Sequence, residues 1–269
     1  MYELALTLTP SMSISNYIFA SSRGRDLQAG LDRGKSWVYV RPGARLAQLT
    51  NTAEYVIGVA NKSKRMSGHA YFLAGIPDLT IKIAEKKERY QEVIFMGSVP
   101  ESVPKMEADL VATSDKIKLM GWKPVFCPIV PMSLKDWNSP DRTSYLIHYH
   151  QYPDMQALLE KTIIAVNHII RAINKSNHVY TPNIQKQIIK VDHGHYSFRY
   201  NRLHDGCHPS EQLVENWCKT LNHAIVINDQ RAALLKPVPI NAVKKIPNPF
   251  AEESTDTDSD TDSRNKRNW

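Results

Sequence analysis

The sequence predicts an α/β protein with a mainly parallel central sheet and helices on both of its faces. Three observations carry this. Short apolar runs alternate along the chain with helix-forming stretches, the order expected of successive strand–helix–strand units. The run Tyr71-Phe72-Leu73-Ala74 is continuously apolar, as a strand buried on both faces must be, rather than alternating. At 269 residues, 42% hydrophobic and 23% charged, the chain is long enough for one large domain with a substantial core, and its composition is that of a globular protein.

The elements follow in order. Residues 1–13 form a short leader with no clear period. A first strand falls at 15–20, then a helix near 24–33 with Leu27 and Leu31 four apart on one face. Strand 36–40 runs through Pro42-Gly43 into a helix or turn near 44–50, and Val56–Ala60 is either another strand or the end of that helix. Strand 69–75 comes next, with Val93–Met96 a fourth candidate. Residues 105–120 are helical and 123–130 return as a strand. The clearest helix is 153–175, where Leu159, Ile163, Val166, Ile170 and their neighbours make a broad apolar face. A last helix opens at Pro209, whose fixed φ suits the first helical position, and runs to about Ile227.

The domain is expected to span 14–236. From Pro237 the character changes: prolines 237, 239, 247 and 249 punctuate a linker, and Glu252–Ser263 holds only acidic, Ser and Thr residues. Such a segment buries too little surface to offset chain ordering, so 237–269 is expected to be disordered. Three cysteines (127, 207, 218) are too few and too scattered for a disulfide framework or zinc site and suggest a reducing compartment. No stretch approaches the length of a membrane span and the N-terminus lacks a signal peptide, so a cytoplasmic or nuclear setting is expected. Net charge is +7; residues 237–269 hold five basic and six acidic residues, leaving +8 on the rest. That excess is compatible with nucleic acid, but the basic residues are dispersed and no aromatic–basic interleaving stands out, so a solvated basic surface is favoured.

Chemistry concentrates in two segments. Leu203-His204-Asp205-Gly206-Cys207-His208-Pro209 sets an acid and a histidine three apart on a Gly-containing turn. Asp205 can hold one imidazole nitrogen of His208 and leave the other free as a base. At the other end of the chain, the apolar run 17–20 leads straight into Ser21-Ser22-Arg23-Gly24, a strand–Ser–helix context that suits a nucleophile. Two further segments end apolar strands on glycine: Val38–Arg45, with Gly43, and Tyr71–Thr80, with Gly75-Ile76-Pro77-Asp78.

Taken in order, these four segments resemble the conserved blocks of the SGNH (GDSL-type) hydrolases, a family of esterases and lipases. The narrower likeness is to the esterase-like domain of some animal mobile elements. The resemblance implies a three-layer α/β/α sandwich, flavodoxin-like in its parallel sheet, and hydrolysis of an ester, an acetyl ester among the candidates, with no cofactor. It puts Ser22 at the nucleophile, His208 at the base and Asp205 at the acid of a triad, with Ser21 the fallback nucleophile. Gly43 and Gly75 would let backbone approach the substrate, and Asp78 would hold its loop by hydrogen bonds. Three positions depart from the family pattern, the first being Ala20 where the first block has glycine. Ser21 stands where the first block has aspartate, and Pro77 where the third block has an asparagine whose amide would serve an oxyanion. Loss of one such donor costs about 10²–10³ in turnover. The same fold with an inactive site, binding a ligand or protein partner, is therefore the alternative.

Each site residue also has a plainer explanation. Ser22 would cap the following helix, and Asp205 and His208 would satisfy backbone groups of a turn. Two His-x-His pairs, 148/150 and 193/195, suggest metal chelation, but only Asp192 stands at a useful spacing, so surface or rim histidines are favoured and no metal is expected.

Overall fold

The computed structural model describes residues 16–62, 67–83, 92–139 and 148–234. The leader 1–13 and the tail 237–269 lie outside the described residues. In chain order the elements are β1 (Asn16–Ala20), α1 (Leu27–Gly30), β2 (Ser36–Val40), α2 (Leu46–Lys62), β3 (His69–Leu73), α3 (Ile76–Leu79), β4 (Ile81–Ile83), β5 (Glu92–Ile94), α4 (Val99–Leu119), β6 (Lys123–Phe126), α5 (Leu134–Trp137), α6 (Tyr152–Ser176), β7 (Ile189–Asp192), β8 (His195–Phe198) and α7 (Glu211–Leu234).

The four longer apolar runs make a parallel sheet in the order β2-β1-β3-β6. Its alternating side chains feed two cores. Tyr17, Phe19, Ala70, Phe72 and Phe126 face α2, α4 and α6. Ile18, Ala20, Tyr71, Leu73 and Val125 face α1 and α7, where Trp217 and Leu221 cover them. Both faces being covered, every residue of β1 and β3 is buried, which is why these strands read as unbroken apolar runs. The result is a three-layer α/β/α sandwich. Phe19, Phe72 and Phe126 are register partners, their rings stacked 5.5 Å apart from strand to strand.

β1 lies between β2 and β3, so the chain leaves it to one side for β2 and crosses to the other side for β3. Connections diverging in this way open a crevice at the strand's carboxyl end. The residue after the end of β1, past Ser21, is Ser22. Among the described residues no strand pairs with the outer edge of β6. On α6, Asn174 accepts from Phe126 N at 2.9 Å and donates to Phe126 O at 2.8 Å. Asn167, two turns earlier on the same face, does the same for Ile129 at 2.6 and 2.9 Å. Each amide imitates a peptide group, which satisfies the exposed ladder and fixes the path of 127–132 over the crevice.

Several expectations change. The helix expected over 24–33 is a 3₁₀ turn at Ser22–Gly24 followed only by the short α1. It ends at Gly30, after which the chain is extended, although Leu27 and Leu31 are both buried as their spacing implied. Val56–Ala60 is the end of α2, not a strand. Residues 93–96 do not join the central sheet: β5 pairs antiparallel with β4 in a separate two-stranded ribbon. α7 starts at Glu211, not Pro209. Pro209 is held extended by a bridge to Leu203, and Ser210 caps the helix by accepting from Leu213 N at 3.4 Å. Among the described residues no helix is long and apolar enough to cross a membrane.

Candidate active site

Ser21 N donates to Leu73 O at 3.1 Å, extending the β1–β3 ladder by one residue and burying Ser21. The chain then turns, Gly24 N reaching Ser21 O at 3.0 Å, and the first residue of that turn is Ser22. Its hydroxyl emerges at the carboxyl end of β1.

The partner turn is built from the other end of the chain. The Leu203–Pro209 bridge and the bond His204 N to His208 O, 2.7 Å, close a tight loop. Gly206 sits at its tip with φ +76°, pressed against α5: a Cβ there would fall 2.7 Å from Asp136 Cβ and 2.9 Å from Trp137 N. Only glycine meets both demands. Ser133 N donates to Gly206 O at 2.7 Å and fastens the loop in place.

Within this loop Asp205 Oδ1 accepts from Cys207 N at 3.0 Å and His208 N at 2.6 Å, while Oδ2 lies 2.8 Å from His208 Nδ1. His208 Nε2 lies 3.1 Å from Ser22 Oγ, although 186 positions separate the two residues. Burial pushes the Asp205 carboxyl upward, but the hydrogen bonds from the His208 ring and from the two backbone N–H groups outweigh it and hold the carboxyl well below the usual carboxylate range. An ionised carboxylate only accepts. Nδ1 must therefore carry the proton, and Nε2 presents its lone pair to the Ser22 hydroxyl. The Asp205 side chain is 7% exposed and that of His208 30%, so the acid is sheltered while the imidazole reaches the cleft. Trp137 tilts over the imidazole, ring centroids 5.6 Å apart.

These groups open into a cleft of about 420 Å³ lined by Ser22, Arg23, Arg25, Trp137, His204 and His208, among others. The remaining predicted residues do not line it but follow the carboxyl ends of β2 and β3, the strands on either side of β1. Gly43 is exposed in the turn after β2. Gly75, at φ +119°, ends β3 against Ile129, where a Cβ would come within 2.3 Å of Cδ1. Pro77 sits in the first turn of α3. Asp78 accepts from Leu46 N with both oxygens, at 2.9 and 3.1 Å, while Gln48 reaches back to Arg45 N at 3.0 Å. Together they cap the start of α2, so Asp78 holds its loop to a helix end. Burial raises its carboxyl despite those bonds.

The other histidines serve elsewhere. His148 donates its backbone N–H to the buried Glu92 at 3.1 Å, and its Nδ1 lies 3.1 Å from the other carboxylate oxygen. His193 and His195 lie exposed on the β7–β8 hairpin. No group of three or more metal-ligating side chains occurs among the described residues. All three cysteines are free and buried. Two residues of the cleft, Arg23 and Trp137, carried no signal in the sequence.

No family model and no curated protein matches this sequence. Solved structures do match. A GDSL-like lipase from Bacteroides thetaiotaomicron shares 14% identity and a TM-score of 0.50, covering 81% of this chain and 89% of its own. A Bacteroides fragilis protein assigned as an acylhydrolase shares 12% identity and a TM-score of 0.51, covering 79% of this chain and 87% of its own. With the sheet order, the helices on both faces and this likeness, the chain has a divergent SGNH hydrolase-like α/β/α fold.

Proposed function

We propose that this chain is a serine esterase in which Ser22, His208 and Asp205 form the triad. The observation that supports it is the continuous relay Ser22 Oγ–His208–Asp205, with contacts of 3.1 and 2.8 Å and the imidazole tautomer set by an ionised acid. Ser22 Oγ attacks the acyl carbon as His208 Nε2 takes its proton. Asp205 accepts from Nδ1–H throughout and stabilises the imidazolium. When the tetrahedral adduct collapses, His208 returns the proton to the leaving alcohol and the acyl group stays on Ser22. Water, deprotonated by the same nitrogen, then releases the acid. The backbone N–H groups of Ser22 and Gly43 hold the oxyanion. Pro77 adds no donor, which makes the site weaker than one with an amide there. The substrate is a small acyl ester, an acetyl ester being the simplest. Three free buried thiols fit a reducing setting.

Pro77 also favours a second reading: a site of the same architecture that holds a ligand or protein partner without turning it over. Hydrolysis of p-nitrophenyl acetate separates the two. Turnover that disappears in Ser22→Ala supports the esterase; folded protein with no turnover above the Ser22→Ala background supports the binding module.

A further inference from the structure

Arg23 follows Ser22 directly, yet it is buried, with 6% of its surface exposed. Nη1 donates to the carbonyl of Val130. Nη2 lies 3.3 Å from the Pro131 carbonyl and 3.5 Å from Cys207 Sγ. Nε is buried without a partner, and among the described residues no carboxylate pairs with the guanidinium. Taking a cation out of water without a counter-charge is costly, and even a paired buried charge is often matched in stability by an apolar replacement of similar volume. Core stability therefore does not explain this arginine.

Its contacts do. The planar fork joins three segments that meet only at the cleft: the turn carrying Ser22, the chain leaving β6, and the loop where Cys207 stands next to His208. The carbonyls it grips follow Ile129, which α6 pins through Asn167. The nucleophile turn is thereby referenced to the rigid sheet edge and to the histidine loop at once. A guanidinium can do this because its donors are fixed in one plane; a lysine ammonium is a single point.

We infer that Arg23 is a positioning residue that locks Ser22 Oγ onto His208 Nε2. The inference rests on the esterase reading of the site. Displacing reacting groups by an ångström costs about 10²-fold in rate, and it acts on kcat because alignment matters only in the transition state.

The test compares wild type, Arg23→Met and Arg23→Lys by thermal melting, fluorophosphonate labelling, and kcat and KM on p-nitrophenyl acetate. Arg23→Met removes an unpaired cation but also the donors to the Val130 and Pro131 carbonyls, and is expected to remain folded at the assay temperature. Its kcat should be about 10²-fold lower and its KM within about threefold. Arg23→Lys keeps the charge without the fork and should remain at least about tenfold below wild type. Wild-type kcat in folded Arg23→Met, or full rescue by lysine, overturns the inference while leaving the esterase reading intact. Wild-type protein that is folded but neither labels nor hydrolyses overturns the reading and the inference with it. If Arg23→Met does not fold, the lysine variant decides.

Discussion

Replacing Asp205 with asparagine should remove the base while leaving the loop standing, and the structure says why. Oδ1 of Asp205 accepts two backbone N–H groups, from Cys207 and His208, at 3.0 and 2.6 Å. An amide nitrogen cannot face two donors, so the asparagine carbonyl must occupy that site. Its NH₂ is then forced to the Oδ2 position, 2.8 Å from His208 Nδ1. There it donates, which requires Nδ1 to be bare and moves the ring proton to Nε2. Nε2–H now points at Ser22 Oγ across 3.1 Å and cannot accept its proton. In a triad such a tautomer change costs about 10⁴ in kcat. Fold stability should fall by no more than about 3 kcal/mol, the scale of one charge-assisted hydrogen bond, because both backbone bonds survive. The pH dependence has a definite sign. The folded-state carboxyl lies below its ordinary value of 3.8, so its contribution is fully present above that value and is lost as pH falls toward the folded pKa. The stability difference between wild type and Asp205→Asn should be flat above about pH 5 and shrink below it. The assays are kcat on an activated ester and urea unfolding of both proteins across pH. A folded Asp205→Asn protein with kcat within about tenfold of wild type would refute the assignment of His208 as the base.

Other substitutions probe other parts of the molecule. Ser22→Ala should abolish hydrolysis of p-nitrophenyl acetate with little loss of stability, whereas Ser21→Ala, whose hydroxyl is buried behind the β1 ladder, should retain most of it; the reverse pattern would move the nucleophile by one residue. Pro77→Asn should raise kcat, by up to about 10²-fold if the amide meets the oxyanion, and an unchanged or lower kcat in folded protein would mean that another group already fills that role. Asp78→Ala should lower unfolding free energy by about 1 kcal/mol, read by urea titration, because Leu46 N loses its acceptor at the start of α2; no change would mean that water replaces the carboxylate at no cost.

The central sheet was legible because its two inner strands, β1 and β3, are buried on both faces and so appear as largely apolar runs. The meeting of Ser22 with His208 was legible only through the order of four short blocks; no local pattern links residues so far apart. Where local periodicity alone was used, tertiary context overrode it. Leu27 and Leu31 both reach the core, but one does so from a helical turn and the other from extended chain after Gly30. Val93 and Ile94 are as buried as any central strand, yet they pair in the β4–β5 ribbon, with Asn138 bonding Val93 N and O at 2.8 and 2.7 Å. Buried polar side chains were the least legible class. Asn138, Asn167 and Asn174 each serve as a surrogate peptide group, and Arg23 as a clamp, and nothing in one sequence distinguishes these from solvated polar residues. Pro209 shows a competing local rule: its ring suits a helix start, but the bridge to Leu203 and the better cap offered by Ser210 moved that start two residues on.

Activation of Ser22 by His208 can be read directly in the reactivity of the serine hydroxyl. The most direct measurement is the reaction of the intact protein with a fluorophosphonate, followed by mass analysis of the proteolytic fragments. A single adduct is expected on the fragment containing Ser22, formed in wild type, lost in Ser22→Ala and strongly slowed in Asp205→Asn. Folded wild-type protein that acquires no adduct, or one that carries it equally in Ser22→Ala, would contradict that activation.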